Sequence, residues 1–248
     1  MSVYDEIQQI YNERKAGYWV LIDPDKLQIE KIPLFTKQLK KSAVDAILVG
    51  GSLILYSDFQ IFVSEIKKNA GRIPVILFPG AVHQVSENAD AILFLSLISG
   101  RAVQHLIGDQ VLAAPLVYRS GIEPIATAYM LIDSGHPTSA QFMSGTIPLP
   151  RNKPEIVVAH ALAAQYLGFK LIYLEAGSGA KDSVPENIIS AVSKAVDIPV
   201  IVGGGITSPE EATSKVSAGA TFIVTGNILE ESSDDKLMQK FSLAVHTK

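Results

Sequence analysis

Short apolar runs recur along the chain, and turn residues follow each of them. Eight runs rich in Val, Ile and Leu occupy residues 18–22, 46–49, 74–78, 91–95, 125–132, 171–174, 199–202 and 221–224. They lack strict two-residue alternation, which is typical of parallel strands covered on both faces. Amphipathic segments predict helices at 29–41, 59–70, 154–167, 185–196, 209–218 and 235–246. The pattern therefore predicts repeated βα units.

Two connections depart from this repeat. Residues 81–88, between the third and fourth runs, are short and polar, so we expect a loop where the third helix would normally stand. Residues 133–153 form the longest connection and are rich in Gly, Pro and Ser. A connection of this length has room for a functional lid, and a passive surface loop explains it equally well.

Eight parallel strands can close into a barrel or open into a doubly wound sheet. Functional-looking residues follow many of the runs, which favours the barrel, because an open sheet would concentrate them at one switch point. The length of 248 residues is also typical of one barrel. We therefore predict a single (β/α)8 TIM barrel domain spanning residues 1–248.

Composition narrows the class of protein. Apolar residues make up 48% of the chain and charged residues 19%, as in a well-buried α/β protein. The net charge of −4 disfavours a nucleic-acid partner, which would need a basic face. The absence of cysteine excludes disulfides and thiolate zinc sites, and it suits the cytoplasm. We see no signal peptide and no run of about 18 apolar residues, so any membrane contact should be peripheral.

Glycine-rich turns follow the last three runs. They are Ala176-Gly177-Ser178-Gly179, Gly203-Gly204-Gly205 and Gly226-Asn227. Glycine lets the backbone approach a ligand closely, and a helix N-terminus adds a positive dipole. Loops after strands seven and eight are a common phosphate site in such barrels. Tight turns alone would explain any one of these segments, but three in register predict a phosphate-binding cup.

Oxygen-bearing side chains follow the first, second and sixth runs. Asp23 and Asp25 end the first run, where they could hold Mg²⁺ or simply form a turn. Ser52 follows the second run and could add an oxygen to the same ion. Glu175 ends the sixth run beside the predicted cup, where it could accept a proton or pair with Lys170 or Lys181.

Five segments carry a resemblance to a known family. They are Leu21-Ile22-Asp23-Pro24-Asp25-Lys26, Val49-Gly50-Gly51-Ser52, Tyr173-Leu174-Glu175-Ala176-Gly177-Ser178-Gly179, Val202-Gly203-Gly204-Gly205-Ile206 and Val224-Thr225-Gly226-Asn227. The chain resembles the geranylgeranylglyceryl phosphate synthases and the related bacterial heptaprenylglyceryl phosphate synthases. The string from Tyr173 to Gly179 is the most specific part of this resemblance.

The resemblance implies Mg²⁺-dependent transfer of a prenyl group from a prenyl diphosphate to the 3-hydroxyl of sn-glycerol 1-phosphate. The product would be an ether lipid precursor, and we favour geranylgeranyl as the prenyl group. The resemblance implies that Asp25 and Ser52 lie at the metal. It also implies two catalytic residues, Glu175, which would accept the hydroxyl proton, and Tyr173. The glycerol phosphate would be held by Tyr173, Leu174, Glu175, Ala176, Gly177, Ser178, Gly179, Gly204, Gly205, Gly226 and Asn227.

The role of Asp23 is left open by the resemblance, because some relatives place a lysine near this position. Asp23 would then support Asp25 or bind the glycerol hydroxyls. Residues 91–95 and 118–130 are candidate lining for a groove that holds the prenyl tail, and they are also ordinary core. The resemblance further implies a homo-oligomer, either a dimer or a hexamer.

Two other functions fit the same cup. A sugar-phosphate isomerase or another phosphate-binding barrel enzyme would use similar glycine turns, although it would not explain Asp25 together with Glu175. A non-catalytic barrel that binds a phosphate ligand would keep the cup and lack the chemistry. Dependence on a divalent metal and the effect of substituting Glu175 would separate these functions.

Overall fold

The predicted runs form eight parallel strands that close into a barrel in chain order. The computed structural model describes residues 1–13, 15–55, 58–226, 228–229 and 236–247. The strands are β1 Gly17–Ile22, β2 Ala46–Val49, β3 Val75–Leu77, β4 Ala91–Leu97, β5 Glu123–Leu131, β6 Leu171–Glu175, β7 Val200–Gly203 and β8 Phe222–Thr225. β8 pairs with β1 in parallel, which completes the ring. The barrel prediction is confirmed.

Helices surround this ring, and most of them join successive strands. They are α1 Val3–Asn12, α2 Ile32–Lys41, α3 Phe59–Ala70, α4 Asp109–Ser120, α5 Ser139–Ser144, α6 Pro154–Tyr166, α7 Glu186–Ala195, α8 Pro209–Ala218 and α9 Leu237–Val245. All six predicted helices are present within a few residues of their expected ends. Residues 79–90 contain turns and no helix, as we expected for the third connection.

Three helices were not predicted from the sequence: α1, α4 and the short α5, which lies within the connection 133–153. α1 has a polar composition, although a capping box formed by Ser2 and Asp5 marks its start. α4 contains Pro115 and buries only Val117, while Val111 and Leu112 face outward. Because its apolar residues do not gather on one buried face, α4 lacks the periodicity that identifies an amphipathic helix.

The amino-terminal end of the barrel is closed by large side chains and by α1. Trp19 and Phe222 are buried there, with ring centroids 4.5 Å apart. Val3 and Ile7 of α1 pack against the same inner cluster. The Glu123 carboxylate accepts a hydrogen bond of 2.7 Å from the backbone N–H of Val3. Because this end is closed, the side chains that could take part in chemistry lie at the opposite rim, where all eight strands end.

Candidate active site at the carboxyl ends of the strands

Glu175 is a buried carboxylate at the end of β6. It is only 5% exposed, and burial raises its pKa to about 7. Two neighbours oppose this rise: the backbone N–H of Gly177 donates to Oε1 at 2.6 Å, and the Tyr173 hydroxyl lies beside the carboxylate. A carboxylate whose pKa is near neutrality can exchange a proton at physiological pH, as a general base requires.

Tyr173 lies beneath Glu175 in a cluster of aromatic rings. Its ring stacks on Phe78 with a centroid separation of 5.1 Å and lies 5.5 Å from the ring of Tyr129. Burial and the adjacent Glu175 raise its pKa well above the ordinary value, so the phenol stays protonated. Within the described part of the chain, its hydroxyl makes no hydrogen bond of good geometry. A buried phenol O–H is therefore available to a group bound beside Glu175.

The loops after β6 and β7 converge around Glu175. A β-carbon on Gly204 would lie 2.2 Å from Glu175 Oε1 and 2.6 Å from the Gly177 nitrogen. Gly204 also has φ of +80°, a conformation that favours glycine. Only glycine therefore fits at this position. These contacts bring the two glycine-rich segments together, as the predicted cup requires.

The remaining cup residues lie at the same rim. Gly205 approaches the loop after β6, since a β-carbon on it would be 3.0 Å from the Ser183 nitrogen. Gly226 follows β8, close to the Leu21 carbonyl of β1. The other predicted binding residues lie in β6 or the loop after it; they are Leu174, Ala176, Ser178 and Gly179. Asn227 lies outside the described residues, so its role stays a prediction.

The carboxylates after β1 lie against the loop after β2. Asp23 Oδ1 accepts a hydrogen bond of 3.0 Å from the Asp25 N–H, and Asp25 Oδ2 accepts one of 2.8 Å from the Leu55 N–H. Burial raises the pKa of the half-buried Asp23. Gly51 passes directly over Asp23, where a β-carbon would lie 3.7 Å from both carboxylate oxygens. The Asp23 carboxylate thus accepts a hydrogen bond from the Asp25 backbone, and its predicted binding of the glycerol hydroxyls stays a prediction.

A mostly apolar cavity of about 550 Å³ runs from the loop after β2 toward α4 and α5. Ser52 is part of its lining, and Phe78 and Tyr129 form the wall shared with the aromatic cluster around Tyr173. Its other lining residues include Ile54, Val85, Ile92, Phe94, Leu95, Leu97, His105, Gln110, Ala113, Ala140 and Met143. The volume is within the usual range for small-molecule sites. The cavity can hold an apolar chain.

Only some of the residues that we predicted to line a groove for the prenyl tail, 91–95 and 118–130, line this cavity. Ile92, Phe94, Leu95 and Tyr129 contribute to it, whereas Tyr118 lies on α4 and is 88% exposed. The lining residues that we missed, such as Phe78 and His105, come from the loop after β3 and the turn before α4. Phe78 directly follows β3, so the rule that strand ends face the site could have identified it.

Residues 133–153 connect the cup to the cavity. Thr138 lies against Gly177, where a β-carbon on the glycine would come within 2.5 Å of the threonine side chain. α5, which begins at the next residue, contributes Ala140, Met143 and Ser144 to the cavity wall. This long connection therefore contacts both the loop after β6 and the cavity wall, and its role as a lid stays a prediction.

Comparison with known proteins finds similarity over most of the chain to one family and to enzymes that share one name. The model of the PcrB family matches residues 8–244. Geranylgeranylglyceryl phosphate synthase from Spirosoma linguale is 47% identical over 221 residues, which are 89% of this chain and 88% of the relative. The enzyme of the same name from Chitinophaga pinensis is 42% identical over 248 residues, 98% of this chain and 97% of the relative.

A solved structure agrees with the architecture. It is (S)-3-O-geranylgeranylglyceryl phosphate synthase from Thermoplasma acidophilum in complex with its substrate sn-glycerol-1-phosphate. It superposes with a TM-score of 0.91 at 33% identity, and the match covers 100% of both chains. Because the family model spans most of the sequence and the similarity extends over whole relatives, this chain belongs to the PcrB family.

Proposed function

We propose that the chain transfers a geranylgeranyl group from its diphosphate to the 3-hydroxyl of sn-glycerol 1-phosphate. The observation that carries this proposal is that Glu175 lies in the glycine-walled cup and also close to Tyr129, which lines the apolar cavity. One substrate needs a phosphate site, the other needs an apolar site, and the reaction between them needs a base. The names of the relatives support the same activity.

The protein's part in the reaction is positioning and proton removal. The cup holds the phosphate of glycerol 1-phosphate, and Glu175 accepts the proton of the 3-hydroxyl as its oxygen attacks the allylic carbon. The carbon–oxygen bond to the diphosphate breaks as the ether bond forms. The cavity holds the prenyl tail and excludes water, so that the hydroxyl reacts in preference to water.

The substrates can be tested directly. We expect product from geranylgeranyl diphosphate with sn-glycerol 1-phosphate and little from the mirror isomer, when labelled prenyl diphosphates of several lengths are supplied. A preference for another tail length would correct the prenyl group alone. Binding of glycerol phosphate without any product would favour the non-catalytic phosphate binder, and turnover of a sugar phosphate would favour the isomerase.

Mg²⁺ is part of the proposal, and the residues present fit it. The described residues contain no cluster of three or more His, Asp or Glu side chains that could enclose a metal. Asp25, whose carboxylate is bonded to the loop after β2, and Ser52, which that loop contributes to the cavity wall, instead offer a carboxylate and a hydroxyl. Mg²⁺ commonly binds through one or two carboxylates together with substrate phosphates. When bound, it would neutralise the departing diphosphate.

Removal of divalent metal should therefore abolish turnover. We expect excess EDTA to stop product formation and added Mg²⁺ to restore it. Asp25→Asn should raise the Mg²⁺ concentration that gives half-maximal rate, because a neutral amide is a poorer ligand for a hard cation. Asp197→Asn, which removes a carboxylate just before β7 at the opposite end of the barrel, is the matched control. Full activity in EDTA would contradict the metal role.

The rate should depend on pH through Glu175. Burial raises its pKa to about 7, and only the ionised carboxylate can accept a proton. We expect kcat/KM for glycerol 1-phosphate, which reports the protein free of that substrate, to fall about tenfold for each unit of pH below about 7 and to level off above it. A kcat/KM that is flat between pH 5 and 8 would argue against Glu175 as the base.

Self-association is also proposed, with α4 as the contact surface. Val111 and Leu112 on this helix are 63% and 61% exposed, and Val103 and Ile107 precede them in the chain. Exposed apolar patches of this kind mark protein interfaces. We expect sedimentation to give a dimer or hexamer, and Leu112→Lys to give a smaller species. Leu243→Lys, at an equally exposed leucine on α9, should leave the assembly unchanged.

In the described part of the chain, no helix has both the length and the apolar character needed to cross a bilayer. Peripheral contact through the tail of the substrate remains our proposal for any encounter with a membrane. We likewise propose that the enzyme acts in the cytoplasm.

A further inference from the structure

α5 touches both substrate sites of the proposed function. Thr138 caps its amino terminus, is buried, and lies directly on Gly177 of the cup. Within the next six residues, Ala140, Met143 and Ser144 line the apolar cavity. One short helix therefore forms a contact with the phosphate loop at its start and a wall of the prenyl cavity along its length.

A second contact fixes the connection to the phosphate loop. Arg151 Nη1 lies 3.3 Å from Asp182 Oδ2, and the Asp182 N–H donates to the Ser134 carbonyl at 3.3 Å. Asp182 belongs to the loop after β6, which also contains Gly177. Both ends of residues 133–153 are thus attached to the loop that holds glycerol phosphate.

The stability of α5 depends on these contacts. It has six residues, none of them buried, whereas helices shorter than about 12 to 15 residues are marginal in isolation. Phe142 is 82% exposed and Met143 is 49% exposed, so the helix has little core of its own. A helix this short therefore needs its contacts with the cup at one end and with the cavity wall along its length.

We infer that α5 couples the two substrate sites, so that glycerol 1-phosphate increases the affinity for the prenyl diphosphate. A ligand that orders the loop after β6 also holds Thr138 and Arg151 in place. When the prenyl chain then enters the cavity, α5 is already ordered, and the entropy cost of ordering it no longer weakens the binding of the prenyl diphosphate. By linkage, the prenyl diphosphate increases the affinity for glycerol 1-phosphate by the same factor. This inference rests on the proposed function.

Calorimetry with an unreactive substrate analogue measures the coupling. Geranylgeranyl S-thiolodiphosphate is titrated into the full chain with Mg²⁺, in the absence and then in the presence of saturating sn-glycerol 1-phosphate. The ratio of the two dissociation constants is the coupling factor. We expect a factor within the usual range of about 5 to 150 for the unchanged protein. A factor of one would overturn the inference.

Substitutions at the two contacts separate coupling from binding. Thr138→Ala removes the cap and should bring the factor close to one, while Thr138→Ser keeps the capping oxygen and should retain most of it. Arg151→Glu places a like charge opposite Asp182 and should lower the coupling factor. The double variant Arg151→Glu with Asp182→Arg restores opposite charges and should restore the coupling factor. Because the factor is a ratio within one variant, a general loss of affinity does not change it.

The inference and the proposed function fail in different ways. If the unchanged protein forms product but Thr138→Ala and Arg151→Glu keep the full coupling factor, the inference is wrong and the function stands. If the charge-reversed pair stays uncoupled although it melts at the same temperature as the unchanged protein, Arg151 and Asp182 do not carry the coupling. If no prenyl diphosphate binds and no product forms, the proposed function itself is wrong.

Discussion

Glu175→Gln should lower kcat by about 10²- to 10⁴-fold, which is the usual contribution of a positioned general base. The amide has nearly the same shape as the carboxylate, and its oxygen can still accept the hydrogen bond from the Gly177 N–H. Glycerol 1-phosphate should therefore bind to the variant with an affinity close to that of the unchanged protein. Steady-state kinetics and calorimetry measure the two quantities separately.

The control for this substitution is Glu155→Gln, which changes a glutamate whose side chain is 68% exposed. It removes the same charge from the surface and should leave kcat unchanged. If Glu175→Gln turned over as fast as Glu155→Gln, Glu175 could not be the base. The pH dependence below about 7 should also disappear in Glu175→Gln, since the titrating group is gone.

Gly204→Ala should lower kcat/KM by at least about 100-fold, because a displacement of about 1 Å at a reacting group is enough for such a loss. The added methyl would lie 2.2 Å from Glu175 Oε1 and 2.6 Å from the Gly177 nitrogen. It must displace the base, the cup, or both. Rates with varied glycerol 1-phosphate and calorimetric affinity for that substrate would measure the effect.

Gly168→Ala is the matched control for backbone strain. Gly168 has φ of +88°, close to that of Gly204, but a β-carbon there would meet no atom within 4 Å. We expect a loss of about 1 to 2 kcal/mol in the free energy of unfolding and no change in turnover. If both alanine variants lost activity equally, strain at positive φ would explain the result and the contact with Glu175 would not.

The barrel and the carboxyl-end site were both predictable from local sequence. Parallel strands in a barrel are buried on both faces, so each reads as a continuous apolar run such as residues 46–49. Residues that follow such runs must lie at one rim, which is why Asp25, Glu175 and Gly204 could be assigned to the same end. The loop in place of a third helix followed from the short polar interval before β4.

The cavity and the contacts over the site were not predictable in the same way. α4 was missed because its apolar residues point outward, and the turn before it supplies His105 to the cavity wall. The contact of Thr138 with Gly177 joins residues 39 positions apart and depends on how residues 133–153 fold back. The pKa of Glu175 likewise depends on burial by segments distant in sequence. Such features arise from tertiary packing, so the local pattern of apolar and polar residues does not predict them.

The single tryptophan of the chain, Trp19, is fully enclosed beside Phe222 at the amino-terminal end of the barrel. Its fluorescence should therefore be insensitive to either substrate, since both are expected at the opposite rim. It should change sharply when the barrel opens and water reaches the indole. Tryptophan emission thus offers an intrinsic optical probe of unfolding for every variant described above, independent of whether that variant still binds its ligands.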